Sequence, residues 1–109
     1  MRVVFLPKVE DYLVELSEIL YQKEYFGFKE SAVIYVTKLV QDIKMTLHKR
    51  LKKPAPRYFN RYGEGMNYAT FRKGKATQWY VFFTTYKEKG EIVYLVRYIS
   101  NNHVSAQFL

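Results

Sequence analysis

The sequence predicts an α+β fold: a two-helix hairpin packed on one face of an antiparallel β-sheet, in the order β-α-α-β-β-β. Three observations lead there. Apolar residues recur at spacings of three and four across positions 9–47, the period of a helix face. From about position 66, aromatic and β-branched residues fill three runs separated by polar breaks, the pattern of strands. Those runs are joined by "RKGKA" and "YKEKGE", turns so short that the strands they connect must be antiparallel neighbours.

Each element has its own warrant. "RVVFL" (2–6) is a run of β-formers stopped by Pro7. Val9, Tyr12, Leu13, Leu16, Ile19 and Leu20 then line one helix face, with Glu10, Asp11, Glu15 and Glu18 elsewhere on it. Acids early in a helix suit its positive end. Gly27 breaks the chain between helices. Ala32, Val36, Leu39, Val40, Ile43 and Leu47 make the second buried stripe, and Lys49 and Arg50 fall at its negative end. Pro54 and Pro56 forbid continuation. "KKPAPRYFNRYGEG" reads as a loop, and strands follow at about 66–73, 77–86 and 91–100. There is no repeat and no low-complexity segment.

A chain of 109 residues is one domain by size, 1–109. With 49% hydrophobic and 26% charged residues it belongs among globular sequences. It has no cysteine. That removes disulfides, thiolate metal sites and cysteine nucleophiles, and suits a reducing cytoplasm. No apolar run is long enough for a membrane span, and acids follow "MRVVFLPK" too soon for a secretory signal. Two histidines and no carboxylate cluster on the sheet speak against a metal, and no cofactor motif is present: "YGEGMNY" leads into a strand, not a helix. No Ser-His-Asp set is apparent.

The net charge of +8 is concentrated. Residues 44–75 hold ten Lys or Arg against one acid, Glu64. A block of that kind attracts polyanions or an acidic partner, although it can also be a solvated helix end and loop that keep the chain soluble. Lys49, Arg50, Lys52, Lys53, Arg57, Arg61, Lys73 and Lys75, with Tyr68 as a base-stacking ring, are the candidate RNA-binding residues.

Alternation sorts the strands. Phe71, Trp79, Val81 and Phe83 form the more apolar set and belong under the helices. Tyr68, Thr70, Arg72, Gln78, Tyr80 and Arg97 are then expected on the other, partly open face, with Ile99 on the same side as Arg97 and Tyr98 opposite, unless a bulge shifts a strand.

At this point the layout resembles a family. "NYATFRKGKATQWYVFF" followed by "EIVYLVRYISNN", preceded by a strand and two helices in a small basic chain, is similar to the RelE/ParE toxins of bacterial type II toxin–antitoxin systems. The resemblance covers nearly the whole chain and rests mostly on hydrophobic pattern. It implies a cytoplasmic toxin neutralised by a cognate antitoxin. Many members are ribosome-dependent endoribonucleases (mRNA interferases) that cut mRNA without a metal; the ParE branch poisons DNA gyrase. The family's strand arginine corresponds to Arg72. Thr70 stands where many ribonuclease members carry Glu, Tyr80 or Gln78 where a second Arg is common, and Asn101 and Asn102 where a Lys or Lys-Arg pair is common, while His103 corresponds to the late His or Tyr that some members use.

Metal-free RNA cleavage needs a base for the 2′-hydroxyl, charge stabilisation at phosphorus and an acid for the departing 5′-oxygen. His103 titrates near neutrality, Arg72 and Arg97 offer bidentate phosphate contacts, and Tyr80 can stack a base or donate a proton. These four are the candidate catalytic residues. Each also has an ordinary structural reading: His103 as a solvated tail residue, Arg72 as a turn residue, Arg97 as an ion-pair partner and Tyr80 as packing. The expected function is therefore a toxin acting as an endoribonuclease. The alternatives are a non-enzymatic gyrase inhibitor and an RNA- or partner-binding module without activity.

Overall fold

A computed structural model describes residues 1–109. It has the α+β architecture that the sequence predicts. The elements are β1 (Arg2–Phe5), α1 (Pro7–Gln22), α2 (Lys29–Thr46), β2 (Lys53–Pro54), β3 (Asn67–Arg72), β4 (Gln78–Glu88), β5 (Glu91–Asn101) and α3 (Asn102–Ser105). The strands form one sheet in the order β1-β5-β4-β3-β2. No helix is long and apolar enough to cross a membrane.

Helix α1 starts as its sequence asks. Pro7 occupies the first turn and the Leu6 carbonyl accepts from the Val9 and Glu10 N–H groups; a proline there gives up only a donor that would lack a partner anyway. Val9, Leu13, Leu16 and Leu20 are buried, as are Ala32, Val36, Leu39 and Ile43 of α2. Against them lie Ala69 and Phe71 of β3, Trp79, Val81 and Phe83 of β4, and Val96 and Ile99 of β5. Trp79 donates its indole N–H to the Tyr35 hydroxyl at 2.8 Å, so the largest core residue is also satisfied. The β4–β5 hairpin turns on Lys89 and Gly90, both at positive φ (52° and 79°), the two-residue turn whose twist matches the strands.

Three features depart from the sequence expectation. First, the sheet is mixed, not purely antiparallel. β1 pairs parallel to β5, from Arg2↔Val93 to Phe5↔Val96, because the helical hairpin returns the chain to the far edge. Second, the expected loop at 52–65 holds structure of its own. Lys53 and Pro54 add a short strand to β3, and Arg57–Tyr62 is a 3₁₀ segment. Phe59 of that segment is fully buried with Met66, Tyr80 and Phe82 in a second apolar cluster. Third, a bulge falls in the last strand. Phe82 pairs with Tyr98 but Phe83 pairs with Val96, leaving Arg97 as the extra residue.

That bulge reverses part of the face assignment. Tyr98 and Ser100 lie opposite Phe82 and Tyr80, on the face away from the helices, and Ile99 turns into the helix-side core. Arg97 stays on the face away from the helices, where Thr84 holds it. The face expected to be open is instead largely covered. The 3₁₀ segment lies over it, with Phe59 on Phe82 (4.4 Å) and Tyr62 stacked on Tyr98 (3.7 Å). The C-terminal turn folds back as well: Ser105 is buried and shares a hydrogen bond with Ser100, and Phe108 stacks on Tyr58 at 3.7 Å.

Candidate nucleic-acid interface

The uncovered part of that face lies at the β3–β4 turn. Arg72 sits opposite Gln78, and Thr70 opposite Tyr80. Arg72, Lys75, Gln78, Tyr80 and Asn102 line an open polar cavity of about 240 Å³. Arg72 is exposed and donates from Nη1 to the Lys75 carbonyl at 3.0 Å. That bond fixes the guanidinium over the cavity and leaves its other N–H groups free. Tyr80 is 8% exposed and packs edge-on against Tyr68, 6.1 Å away. Asn102 closes the floor: its Oδ1 accepts from the Gln78 N–H at 2.9 Å and its Nδ2 donates to the Ala76 carbonyl at 3.1 Å. The sequence flagged Asn102 only as a departure from lysine. A lone Asn carries no signal of a long-range clamp.

Arg97 does not join this pair. Its Nε donates to Thr84 Oγ1 at 3.0 Å. Thr84 is four residues along β4 from Tyr80, about 13 Å at strand rise, and the Phe59–Phe82 and Tyr62–Tyr98 stacks lie on the same face. The three side chains share one side of the sheet, but Arg97 cannot grip the phosphate that Arg72 and Tyr80 would hold.

His103 is separated more completely. Its N–H is capped by the Asn101 side chain at 3.0 Å. With Lys73, Trp79, Tyr35 and Phe26 it lines a small cavity of about 120 Å³ on the helix side of the sheet. Thus, of the four candidate catalytic residues, only Arg72 and Tyr80 meet.

The cationic block divides in the same way. Arg50 is structural. Its Nη2 contacts Asp42 Oδ2 at 3.0 Å, its Nη1 donates to the Thr70 carbonyl at 3.3 Å, and its guanidinium lies 4.2 Å from the Phe71 ring centre. Lys73 reaches the same Asp42 oxygen at 3.0 Å. Burial works to raise the Asp42 carboxyl. The Lys73 and Thr46 hydrogen bonds and the charges of Lys73 and Arg50 outweigh it and hold the group below its ordinary value. Lys52 donates to the His48 and Arg50 carbonyls at 3.0 and 2.9 Å. Arg61 rests on Tyr58, 4.3 Å from its ring centre, and bonds the Tyr58 carbonyl at 3.2 Å. Lys49, Lys53, Arg57 and Lys75 are exposed and carry no ion pair. Tyr68, half-buried between Tyr80 and Phe82, sits opposite Lys53 and packs in the second core cluster.

No protein-family model matches this chain, and a search of curated proteins and of solved structures finds no significant match either.

Proposed function

We propose that this chain is a RelE/ParE-type toxin that binds RNA at the Arg72–Tyr80 pocket and cleaves it without a metal, acting on ribosome-bound mRNA in the cytoplasm and held in check by a cognate antitoxin. One observation carries the reading: Arg72 and Tyr80, far apart in chemistry and eight positions apart in sequence, line one polar pocket beside exposed Lys75. In the reaction proposed, solvent water takes the 2′-hydroxyl proton as that oxygen attacks the adjacent phosphorus, and the bond to the 5′-oxygen breaks to leave a 2′,3′-cyclic phosphate. The free N–H groups of Arg72 and the Lys75 ammonium neutralise the phosphorane, and the Tyr80 phenol protonates the departing 5′-oxygen. Lys53, Arg57 and Lys49 steer the polyanion without reading its sequence.

A second reading, a binding module without chemistry or a gyrase inhibitor, is favoured by a different observation: no imidazole lines this pocket, since His103 faces the helix-side cavity. Induced expression decides between them. Growth arrest with new transcript 5′ ends, both lost in Arg72→Ala, supports the ribonuclease. Arrest with intact transcripts and inhibited supercoiling supports the gyrase reading. Normal growth leaves a plain binding module.

A further inference from the structure

A cavity of about 400 Å³, larger than the Arg72 pocket, stands apart from it. It lies at the far edge of the sheet, where β1 stops. Strand pairing of β1 with β5 ends at Phe5↔Val96, and the Leu6 N–H adds one last bond to the Val96 carbonyl at 3.0 Å. The chain then turns away into α1. From Arg97 to Asn101, β5 has a strand on one side only, β4.

All five of those residues line the cavity. Consecutive residues of a strand point to opposite faces. A cavity lined by every one of them therefore faces the backbone edge, not one face of the sheet. Its two walls come from different layers: Val9 and Tyr12 of α1 on the helix side, Tyr62 of the 3₁₀ segment on the other. Burial pushes the Tyr12 phenol up to about 12, with Tyr98 adding to it, so this wall stays neutral.

The charged groups at the cavity are both cations. Lys8 and Arg97 line it, and neither takes part in any ion pair of the molecule. Arg97 is half-buried, a position that is costly for a charge without a counterion. It is also positioned with care. It is the bulged residue of β5, its Nε is tied to Thr84, and a Cβ at Gly63 would lie 2.7 Å from its Cδ. The glycine leaves the space through which the arginine reaches the cavity.

We propose that this edge binds an extended segment of a partner protein, acidic and apolar in alternation, which continues the line of β1 and pairs with the Arg97–Asn101 backbone. Main-chain bonds to the strand edge supply affinity, and alternate side chains supply selection. Carboxylates of the segment meet Arg97 on the face away from the helices, its alternate apolar side chains lie on Tyr12 and Val9 on the helix side, and Lys8 adds to the positive field at the edge. The inference is independent of the ribonuclease reading, since it uses neither Arg72 nor Tyr80.

The test titrates the isotope-labelled full chain with a blocked octapeptide alternating Glu with Val and Leu. Three further peptides serve as probes: the same peptide with Lys for Glu, and two isomers N-methylated at alternate residues in opposite phase. The acidic peptide is expected to shift the amide signals of Arg97–Asn101. One N-methylated isomer, the one whose blocked amides face β5, is expected to bind about tenfold more weakly, the loss of one or two main-chain bonds. The other is expected to bind as the parent does. Arg97→Gln is expected to weaken the parent with an unchanged melting temperature. Four results each overturn the proposal: still amides at 97–101, equal binding of the Lys peptide, both N-methylated isomers binding as the parent, or shifts confined to Lys49, Lys53 and Arg57.

Discussion

Lys73, in the turn after β3, places its Nζ 3.0 Å from Oδ2 of Asp42 near the C-terminal end of α2. The same oxygen holds Arg50 at 3.0 Å. One carboxylate thus ties the helical layer to the strand that carries Arg72. It also gives two cations of the most basic segment a partner within the fold.

Asp42→Ala is expected to cost about 1–2 kcal/mol, less than the 3–5 of a fully buried pair, because roughly a quarter of each side chain is in water. Thermal melts check this; a loss of that size lowers the midpoint by several degrees in a domain this small. The pH dependence follows from the lowered carboxyl. Folding is favoured wherever Asp42 is ionised, so the contribution is complete above the ordinary value of 3.8 and is lost as pH falls through the lower folded-state value. Wild type and variant should therefore converge in acid.

Arg72→Ala is expected to reduce RNA cleavage about 10²- to 10³-fold, the effect of removing one charge-stabilising donor, without moving the melting temperature, since the side chain is exposed. Tyr80→Phe keeps the ring in its packing and removes the proton donor, so cleavage falls while stability holds. Mapping product ends with purified protein on ribosomes reads both.

His103→Ala is expected to leave cleavage unchanged within about twofold, well under the 10²–10⁴ of a general acid or base. The imidazole lines the helix-side cavity with Trp79 and Lys73. A hundredfold loss in the same cleavage assay would place His103 among the catalytic residues and overturn this assignment.

Gly63→Ala is expected to destabilise by about 1–3 kcal/mol. The residue sits at φ 151°, and the added Cβ would meet Arg97 Cδ at 2.7 Å. Urea unfolding gives the loss. Gly63→Ala with Arg97→Ala should recover the steric part and retain the backbone part.

Tyr12 is expected to be among the last tyrosines to ionise, at about 12, because burial penalises the phenolate. A raised folded-state value stabilises the fold below the ordinary 10.0 and is lost as pH climbs towards about 12. Tyr12→Phe removes that group, so its stability should decline less between pH 10 and 12. Ultraviolet difference titration of the two proteins measures it.

Much of this fold was legible in the residues. Leu13, Leu16, Leu39 and Ile43 repeat at helical spacing, and all are buried. Phe71, Trp79, Val81 and Phe83 alternate, and all lie under the helices. Arg72 and Tyr80 could be placed on one face because no irregularity interrupts β3 against β4. Beyond them the reading failed for identifiable reasons. The bulge at Arg97 has no sequence marker, and a single extra residue exchanges Tyr98 and Ile99 between faces. The 3₁₀ segment looked like a loop because Pro, Arg and Tyr dominate it, yet Phe59 anchors it in a core.

Local periodicity and turn chemistry settled which segments became helices and strands and which side faced the hairpin, because both depend on neighbours a few residues apart. The parallel seat of β1 beside β5, the bare edge from Arg97 to Asn101 and the parting of His103 from Arg72 were fixed only by packing. They depend on where groups distant in the chain meet: the helical hairpin seats β1 beside β5, and Phe59, Tyr62 and Ser105 pack against the second face of the sheet.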